Sequence, residues 1–260
     1  MPSLCGRNLS GYRSRCGHTA LAVSPKLPTV KLSILMPVYN EFSTLTSAIK
    51  EVLNVNFPCE IELVVVDDGS TDGTRDLYPS FGNDPRVSIH LHERNRGKGA
   101  AIRTAAAAAT GEYVIMCDAD LEYSPGDIPS LLAPVLAGQA EVVYGTRTFG
   151  SHNAYSYAYV LGNKAVTTFA NVLFNCYISD LETCFKLIPT ALYRDLDVRE
   201  TGFGMEAEAT GKLLRRGIRP YEVPISYTAR SRAAGKKLTW RDGVQALWIL
   251  LRERAAVRST

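Results

Sequence analysis

The sequence predicts an α/β fold, a mostly parallel sheet flanked by helices, with an amphipathic helix at its C-terminal end. Two observations carry that expectation. Short apolar runs alternate with helical stretches of ten or so residues, the pattern of right-handed strand–helix–strand crossovers. Two of those runs end on paired carboxylates, Asp67 with Asp68 and Asp118 with Asp120, and open parallel sheets bind ligands at the carboxyl ends of their strands.

Taken in order, residues 1–30 hold Arg7, Arg13 and Arg15 among Ser and Gly without the continuous apolar core of a secretory signal, and are expected to be disordered. Lys31 to Pro37 is a first buried strand running into Val38, Tyr39, Asn40 and Glu41, after which Ser43 or Thr44 caps a helix to about Val55. Beyond Pro58, Glu60 to Val66 forms a second strand that delivers Asp67 and Asp68. Thr71 to Thr74 opens a short helix, Val87 to His92 makes a third strand, and Gly97-Lys98-Gly99 opens an Ala-rich helix over 100–109. Tyr113 to Cys117 reads as a buried strand ending on Asp118 and Asp120. Those two carboxylates share a face if the chain stays extended, whereas a turn at Ala119 fans them around one ion. Crowded carboxylates repel one another unless a cation lies between them, and hard ions such as Mg²⁺ or Mn²⁺ prefer oxygen ligands. Pro125 starts a further helix and Val142 to Gly145 a fifth strand. Near the end, Trp240, Val244, Leu247, Trp248 and Leu251 draw one apolar stripe with Arg241, Arg252, Arg254 and Arg258 beside or beyond it, a pattern that fits an interfacial helix or one packed on its own domain. Gly162 to Phe174 is similarly apolar and amphipathic. This divides the chain into an N-terminal segment over 1–30, a domain over 31–237, and an amphipathic helix with a basic tail over 238–260.

With 260 residues, 46% of them apolar, the chain supports a substantial core. Charge is unevenly spread: five Lys/Arg and no acid over 1–31, 11 against 20 acids over 32–198, and 13 against 6 over 199–260. An acidic middle between basic ends suits a metal-loaded site and an anionic partner, such as phosphate or a membrane surface, near the C-terminal part. Six cysteines without a CxxC pair read as reduced thiols of a cytosolic protein. No apolar run approaches the ~20 residues of a membrane span.

The Arg94 to Ile102 segment departs from two phosphate-binding motifs. A P-loop requires Ser or Thr after Gly-Lys and a Gly five residues before Gly97, where the chain has Gly99 and His92. A dinucleotide fingerprint requires a third Gly, where Ile102 stands. Backbone N–H groups and Lys98 are still expected to meet a diphosphate at a helix N-terminus.

Pro37-Val-Tyr-Asn-Glu41, Val66-Asp67-Asp68-Gly69-Ser70-Thr-Asp72, Asn95-Arg-Gly-Lys98-Gly and Asp118-Ala-Asp120-Leu, in this order, resemble the family-2 glycosyltransferases of GT-A fold. Tyr144-Gly-Thr-Arg147, Asp180-Leu-Glu-Thr-Cys-Phe-Lys186, Gly202-Phe-Gly-Met-Glu206 and Gly235-Lys236-Lys237-Leu are similar to its dolichyl- or polyprenyl-phosphate sugar synthase branch, the dolichol-phosphate mannosyltransferase-like proteins. The likeness covers about residues 31–254. It departs in having Glu122 where archaeal-type mannosyl synthases commonly carry Gln, and Thr-Cys where many have Ser-Gly after the central Asp.

The resemblance implies an inverting transferase that moves a sugar from a UDP- or GDP-linked donor to a polyprenyl phosphate. Pro37, Val38, Asn40 and Glu41, with Asp67 and Asp68, would hold the base and ribose. Asp118 and Asp120, with Glu122, would hold Mg²⁺ or Mn²⁺ against the diphosphate, and Lys98 would join them. Arg147 and one of Lys164, Arg230 or Lys236 would clamp the phosphates. A lipid monophosphate, with a second pKa near ~6, attacks without a strong base, whereas a sugar hydroxyl in a cell-wall or surface glycan needs Asp180 or Glu182 to take its proton. A non-catalytic nucleotide-sugar sensor would keep Asp67 and Asp68 without needing Arg147 and Lys236. A phosphatase built on Asp-x-Asp would want Thr or Val at position 122. The expected setting is the cytoplasmic face of a membrane, held peripherally or by a membrane-embedded partner, with no nucleic acid involved.

Overall fold

The computed structural model describes residues 30–153, 156–229 and 240–256. A seven-stranded sheet forms the centre: β1 (Lys31–Val38), β2 (Glu60–Asp67), β3 (Val87–Leu91), β4 (Tyr113–Met116), β5 (Val143–Thr146), β6 (Lys186–Pro189) and β7 (Tyr221–Pro224), in the order β3-β2-β1-β4-β6-β5-β7. Pairing is parallel except at β6, which runs antiparallel to both β4 and β5. Strands β1 and β4 carry side chains buried on both faces, Leu32, Ile34, Leu35, Met36, Val114 and Ile115 among them, which is why they read as continuous apolar runs and not as alternation.

The helices are α1 (Leu45–Asn54), α2 (Lys98–Ala108), α3 (Ile128–Leu136), α4 (Tyr157–Phe174), α5 (Thr190–Asp195), α6 (Met205–Arg215) and α7 (Trp240–Ala255). Thr44 stands at the start of α1, but its hydroxyl bonds Glu41 and does not cap the helix. The short helix foreseen after Asp72 is a 3-10 turn over Thr74–Ser80. Small residues let α2 lie close on the sheet, with Ala100, Ala101, Ile102 and Ala105 buried against it.

The last third departs from the five-strand expectation. After α4 the chain returns to insert β6 between β4 and β5, so the fourth and fifth strands are not neighbours. Helices α4, α6 and α7 pack together around a second apolar cluster of Val166, Ala170, Phe174, Ile249 and Leu250. The buried seam of α7 is Ala246, Ile249, Leu250 and Glu253, one helical face at steps of three, one and three. The stripe singled out in the sequence lies beside it: Val244, Trp248 and Leu251 are 55%, 60% and 48% exposed. Among the described residues no helix is long and apolar enough to cross a membrane. Cys59, Cys117, Cys176 and Cys184 are free thiols. Residues 1–29, Arg230, Lys236, Lys237 and Arg258 lie outside the described residues.

Candidate active site

The carboxyl ends of β1, β2, β4 and β5 bring most of the expected residues to one edge of the sheet. Strand β4 stops at Met116, although the N–H of Cys117 still reaches Leu35. The chain then turns: Asp120 Oδ1 accepts the N–H of Glu122 at 3.0 Å, and Leu121 takes a positive φ of 61°. Asp118 and Asp120 are therefore set by a turn, the second of the two arrangements the spacing allowed. Asp118 keeps a side chain that is 20% exposed and receives Lys98 Nζ at 2.8 Å. The same ammonium lies 3.0 Å from Glu206 Oε1 in the first turn of α6. Burial works against the Lys98 charge, but Asp118 and Glu206 outweigh it and hold its pKa well above the usual lysine value.

Asp67 and Asp68, expected to face a ligand, face the protein. The Asp67 carboxylate accepts the N–H groups of Gly69 and Ser70, Arg75 Nε at 2.9 Å and the Tyr78 hydroxyl at 2.9 Å, and is fully buried. Burial would raise its pKa, yet these donors lower it. Asp68, 2% exposed, accepts His92 Nδ1 at 2.7 Å and the N–H groups of Arg96 and Gly97. The glycine-rich loop is thus spent on scaffolding too. Gly97 and Gly99 are needed because a Cβ there would sit 2.3 Å from the Thr201 carbonyl oxygen and 2.2 Å from that of Glu200, and the Gly99 N–H bonds Thr201. The N–H groups foreseen for a diphosphate are engaged within the protein at Arg96, Gly97 and Gly99. Asn40, at φ 56°, bridges the β1 and β2 loops through Ser70 and Thr71. The Glu41 N–H meets Thr74, Val38 is buried and accepts the Asp68 N–H, and Pro37 is half-buried in β1.

Beyond β5, Arg147 and Asp180 are each other's partner. Arg147 forks onto both Asp180 oxygens at 2.7 Å, its N–H adds a third bond, and Asn163 Nδ2 a fourth. Burial favours the neutral acid, but Arg147 prevails and keeps the Asp180 pKa low. Asp180, foreseen with Glu182 as a candidate base, is thus a fully buried carboxylate whose two oxygens accept four donors. The Arg147 guanidinium also lies 5.1 Å from the Tyr227 ring and 6.0 Å from that of Tyr123. Glu122, foreseen as a third metal ligand, accepts the Tyr227 hydroxyl at 2.7 Å. Among the described residues no three His, Cys, Asp or Glu side chains converge enough to hold a metal by themselves. Lys164 is exposed on α4.

The sequence matches glycosyl transferase family 2 over residues 33–196, more than half its length. The chain belongs to glycosyl transferase family 2. Among curated relatives of this family-2 member, glycosyltransferase AglJ of Haloferax volcanii is 28% identical over 212 residues, covering 81% of this chain and 67% of AglJ. The low-salt glycan biosynthesis hexosyltransferase Agl6 of the same organism is 28% identical over 203 residues, 76% of this chain and 48% of Agl6. The GT-A fold is shared with glucosyl-3-phosphoglycerate synthase from Mycobacterium tuberculosis, solved with UDP, at a TM-score of 0.66 and 20% identity over 88% of this chain and 82% of that one. It is shared also with TarS of S. aureus, solved with UDP-GlcNAc, at 0.61 and 19% over 86% and 66%.

Three residues given no role, or a shared one, in the sequence stand out in this glycosyltransferase. Glu206 has one oxygen on Lys98 while its Oε2 is buried without a hydrogen-bond partner. Glu182, half-buried, makes no hydrogen bond or ion pair with the described residues, and burial with the charge of Glu206 raises its pKa to about 7. Lys186, fully buried on β6, clasps the carbonyls on either side of Glu182, Leu181 at 2.7 Å and Thr183 at 2.6 Å, with its ammonium 4.5 Å from the Tyr144 ring. The signal for Glu206 was an acid in the first turn of a helix after Gly202-Phe-Gly, and for Lys186 a lone lysine opening an apolar run.

Proposed function

We propose that this family-2 hexosyltransferase moves mannose, glucose or an N-acetylhexosamine from a UDP- or GDP-linked donor to a polyprenyl phosphate at the cytoplasmic face of a membrane. The observation that carries the acceptor assignment is an uncovered apolar surface beside the site. On α4, Leu161, Phe169 and Val172 line a groove of about 520 Å³, Val172 being 79% exposed, and Val244, Trp248 and Leu251 stand out from the neighbouring α7. Helix α4 carries no acid and one cation, Lys164, and its Asn163 bonds the Asp180 that holds Arg147. An apolar, acid-free helix reaching from the site outward suits a lipid chain whose phosphate enters near Arg147.

On this reading Asp118 and Asp120 hold Mg²⁺ or Mn²⁺. The donor set fits: two hard carboxylates would suit a hard divalent ion, and the Asp118 oxygen already draws a cation. Neighbouring structures that contain UDP with Mn²⁺ or with Mg²⁺ support the same pairing. The ion, when bound, stabilises charge on the departing diphosphate. Asp67 and Asp68 shape the loop that meets the base, while Pro37, Val38, Asn40 and Glu41 border it. Arg147 is held by Asp180 for the acceptor phosphate, and one of Lys164, Arg230 or Lys236 would supply a further cation. The acceptor oxygen bonds the anomeric carbon as the bond to the diphosphate breaks, with inversion. Incubating the protein with vesicles containing polyprenyl phosphate and a panel of labelled UDP- and GDP-sugars should yield a lipid-linked sugar. Transfer only to water-soluble acceptors would overturn the lipid assignment.

Glu182 favours a second reading, in which the acceptor is a hydroxyl. Its carboxylate lies near Arg147 and Glu206, and its pKa of about 7 suits a general base. A raised carboxyl pKa means that the ionised, proton-accepting form accumulates only as pH rises through about 7. Turnover limited by this base should therefore climb tenfold per unit below that point and level off above it. The phosphate reading predicts no such limb from Glu182, so Glu182→Gln should leave lipid-phosphate transfer within about threefold but cut hydroxyl transfer by about 10²-fold or more.

A further inference from the structure

We propose that Lys98 and Glu206 form a latch that sets how tightly the Asp118 position takes a divalent cation, an inference that rests on Asp118 and Asp120 being the metal-holding pair. The Lys98 ammonium lies between Asp118 Oδ2 at 2.8 Å and Glu206 Oε1 at 3.0 Å. The side chains of Lys98 and Glu206 are 16% and 5% exposed, so solvent and salt screen these contacts weakly. The ammonium supplies at Asp118 the neutralising charge that a metal ion would bring. A divalent cation approaching the same oxygen meets a positive charge within about 4 Å, and the two compete.

The frame around the lysine is fixed. Gly97 and Gly99 on either side are packed under Glu200 and Thr201 too closely for any Cβ, and the Gly99 N–H is bonded to Thr201. Glu206 is set in the first turn of α6, where Gly204 lies against Ile249 of α7. With its backbone held, Lys98 moves through its side-chain torsions, between the Asp118 and Glu206 carboxylates. Glu206 Oε2 shows where it goes. That oxygen is buried without a hydrogen-bond partner, an arrangement that costs free energy, and an ammonium leaving Asp118 satisfies it. Metal loading at Asp118 and transfer of Lys98 fully onto Glu206 are thus one exchange: Asp118 trades an ammonium for a divalent ion, and Glu206 gains the donor it lacks.

The latch predicts opposite effects from removing its two halves. Lys98→Met deletes the competing cation, so Mn²⁺ alone, titrated by electron paramagnetic resonance into the full chain without nucleotide, should bind about fivefold tighter or better. Glu206→Gln deletes the alternative partner and leaves Lys98 to Asp118, so Mn²⁺ should bind about threefold weaker or worse. Loss of structure alone would weaken binding in both. Both variants shifting in the same direction, or folded Lys98→Met binding no tighter than the wild type, overturns the latch. Should Lys98→Met fail to fold, unchanged Mn²⁺ affinity in the isosteric Glu206→Gln overturns it equally. Failure of the underlying metal assignment looks different: Asp120→Asn would bind Mn²⁺ like the wild type, and the latch would fall with it.

Discussion

Strands β2 and β4 end alike in sequence, each an apolar run closing on two carboxylates, and differently in space. After β2, Asp67 and Asp68 are 0% and 2% exposed and collect at least seven protein donors between them. After β4, Asp118 is partly open and shares one lysine with Glu206. The difference lies in what the following loop supplies. Gly69, at φ 81°, and Ser70 turn their N–H groups back on Asp67, and Arg75, Tyr78 and the 96–97 backbone complete the shell. In the 118–122 turn the Glu122 N–H is returned to Asp120. The pair after β2 is held by its own loop, whereas Asp118 after β4 is held by a lysine that it shares with Glu206.

The largest effect expected from this comparison is at the open pair. Asp120→Asn removes a charge from the metal-holding turn but keeps its shape and its hydrogen-bond acceptor, so turnover should fall by about 10²- to 10³-fold with little change in melting temperature. A steady-state assay with Mn²⁺ beside a thermal melt checks both halves. Near-normal turnover would remove the distinction between the two pairs.

At the closed pair the effect should move from turnover to stability. Asp67→Ala strips partners from the buried Tyr78 hydroxyl and the Gly69 and Ser70 N–H groups and leaves Arg75 uncompensated. Stranding such donors costs about 2–4 kcal/mol, roughly 5–15 °C in melting temperature for a chain of this size. A variant that keeps its melting temperature but loses nucleotide binding by calorimetry would return Asp67 to the ligand.

The parallel half of the sheet was legible because β1, β2 and β4 are buried on both faces and its turns carry strong punctuation. Residues 31–146 accordingly gave five strands, their order along the chain and the edge that bears the acids. Strands β6 and β7 were not legible. Each is four residues long and ends on proline, and β6 opens on a lysine, a residue seldom buried; here its charge is absorbed by two carbonyls and a tyrosine ring. The site was legible as residue types but not as pairings. Sequence shows that Arg147 and Asp180 are present; only the fold shows that they neutralise each other, leaving Glu182 two residues on without a described partner. On α7 the sequence left open whether the stripe of Val244, Trp248 and Leu251 packs on the domain or faces outward; the fold covers Ile249 and Leu250 with α4 and α6 and leaves that stripe exposed.

The smallest expected effect tests the open side from within. Thr183, next to Glu182 on the loop clasped by Lys186, is fully buried with a hydroxyl that has no hydrogen-bond partner, whereas every Asp67 contact across the sheet edge is made. An unsatisfied buried hydroxyl opposes folding, so an apolar residue of the same shape removes a cost and no bond. Thr183→Val should therefore be neutral or stabilising by up to about 1 kcal/mol, a rise of no more than about 4 °C, with the Lys186 clasp on the Thr183 carbonyl intact because it uses backbone oxygen. A thermal melt measures this directly. Destabilisation by more than about 1 kcal/mol would mean that the hydroxyl holds an ordered water in the pocket of Glu182, and the open side would then be better satisfied than its protein contacts show.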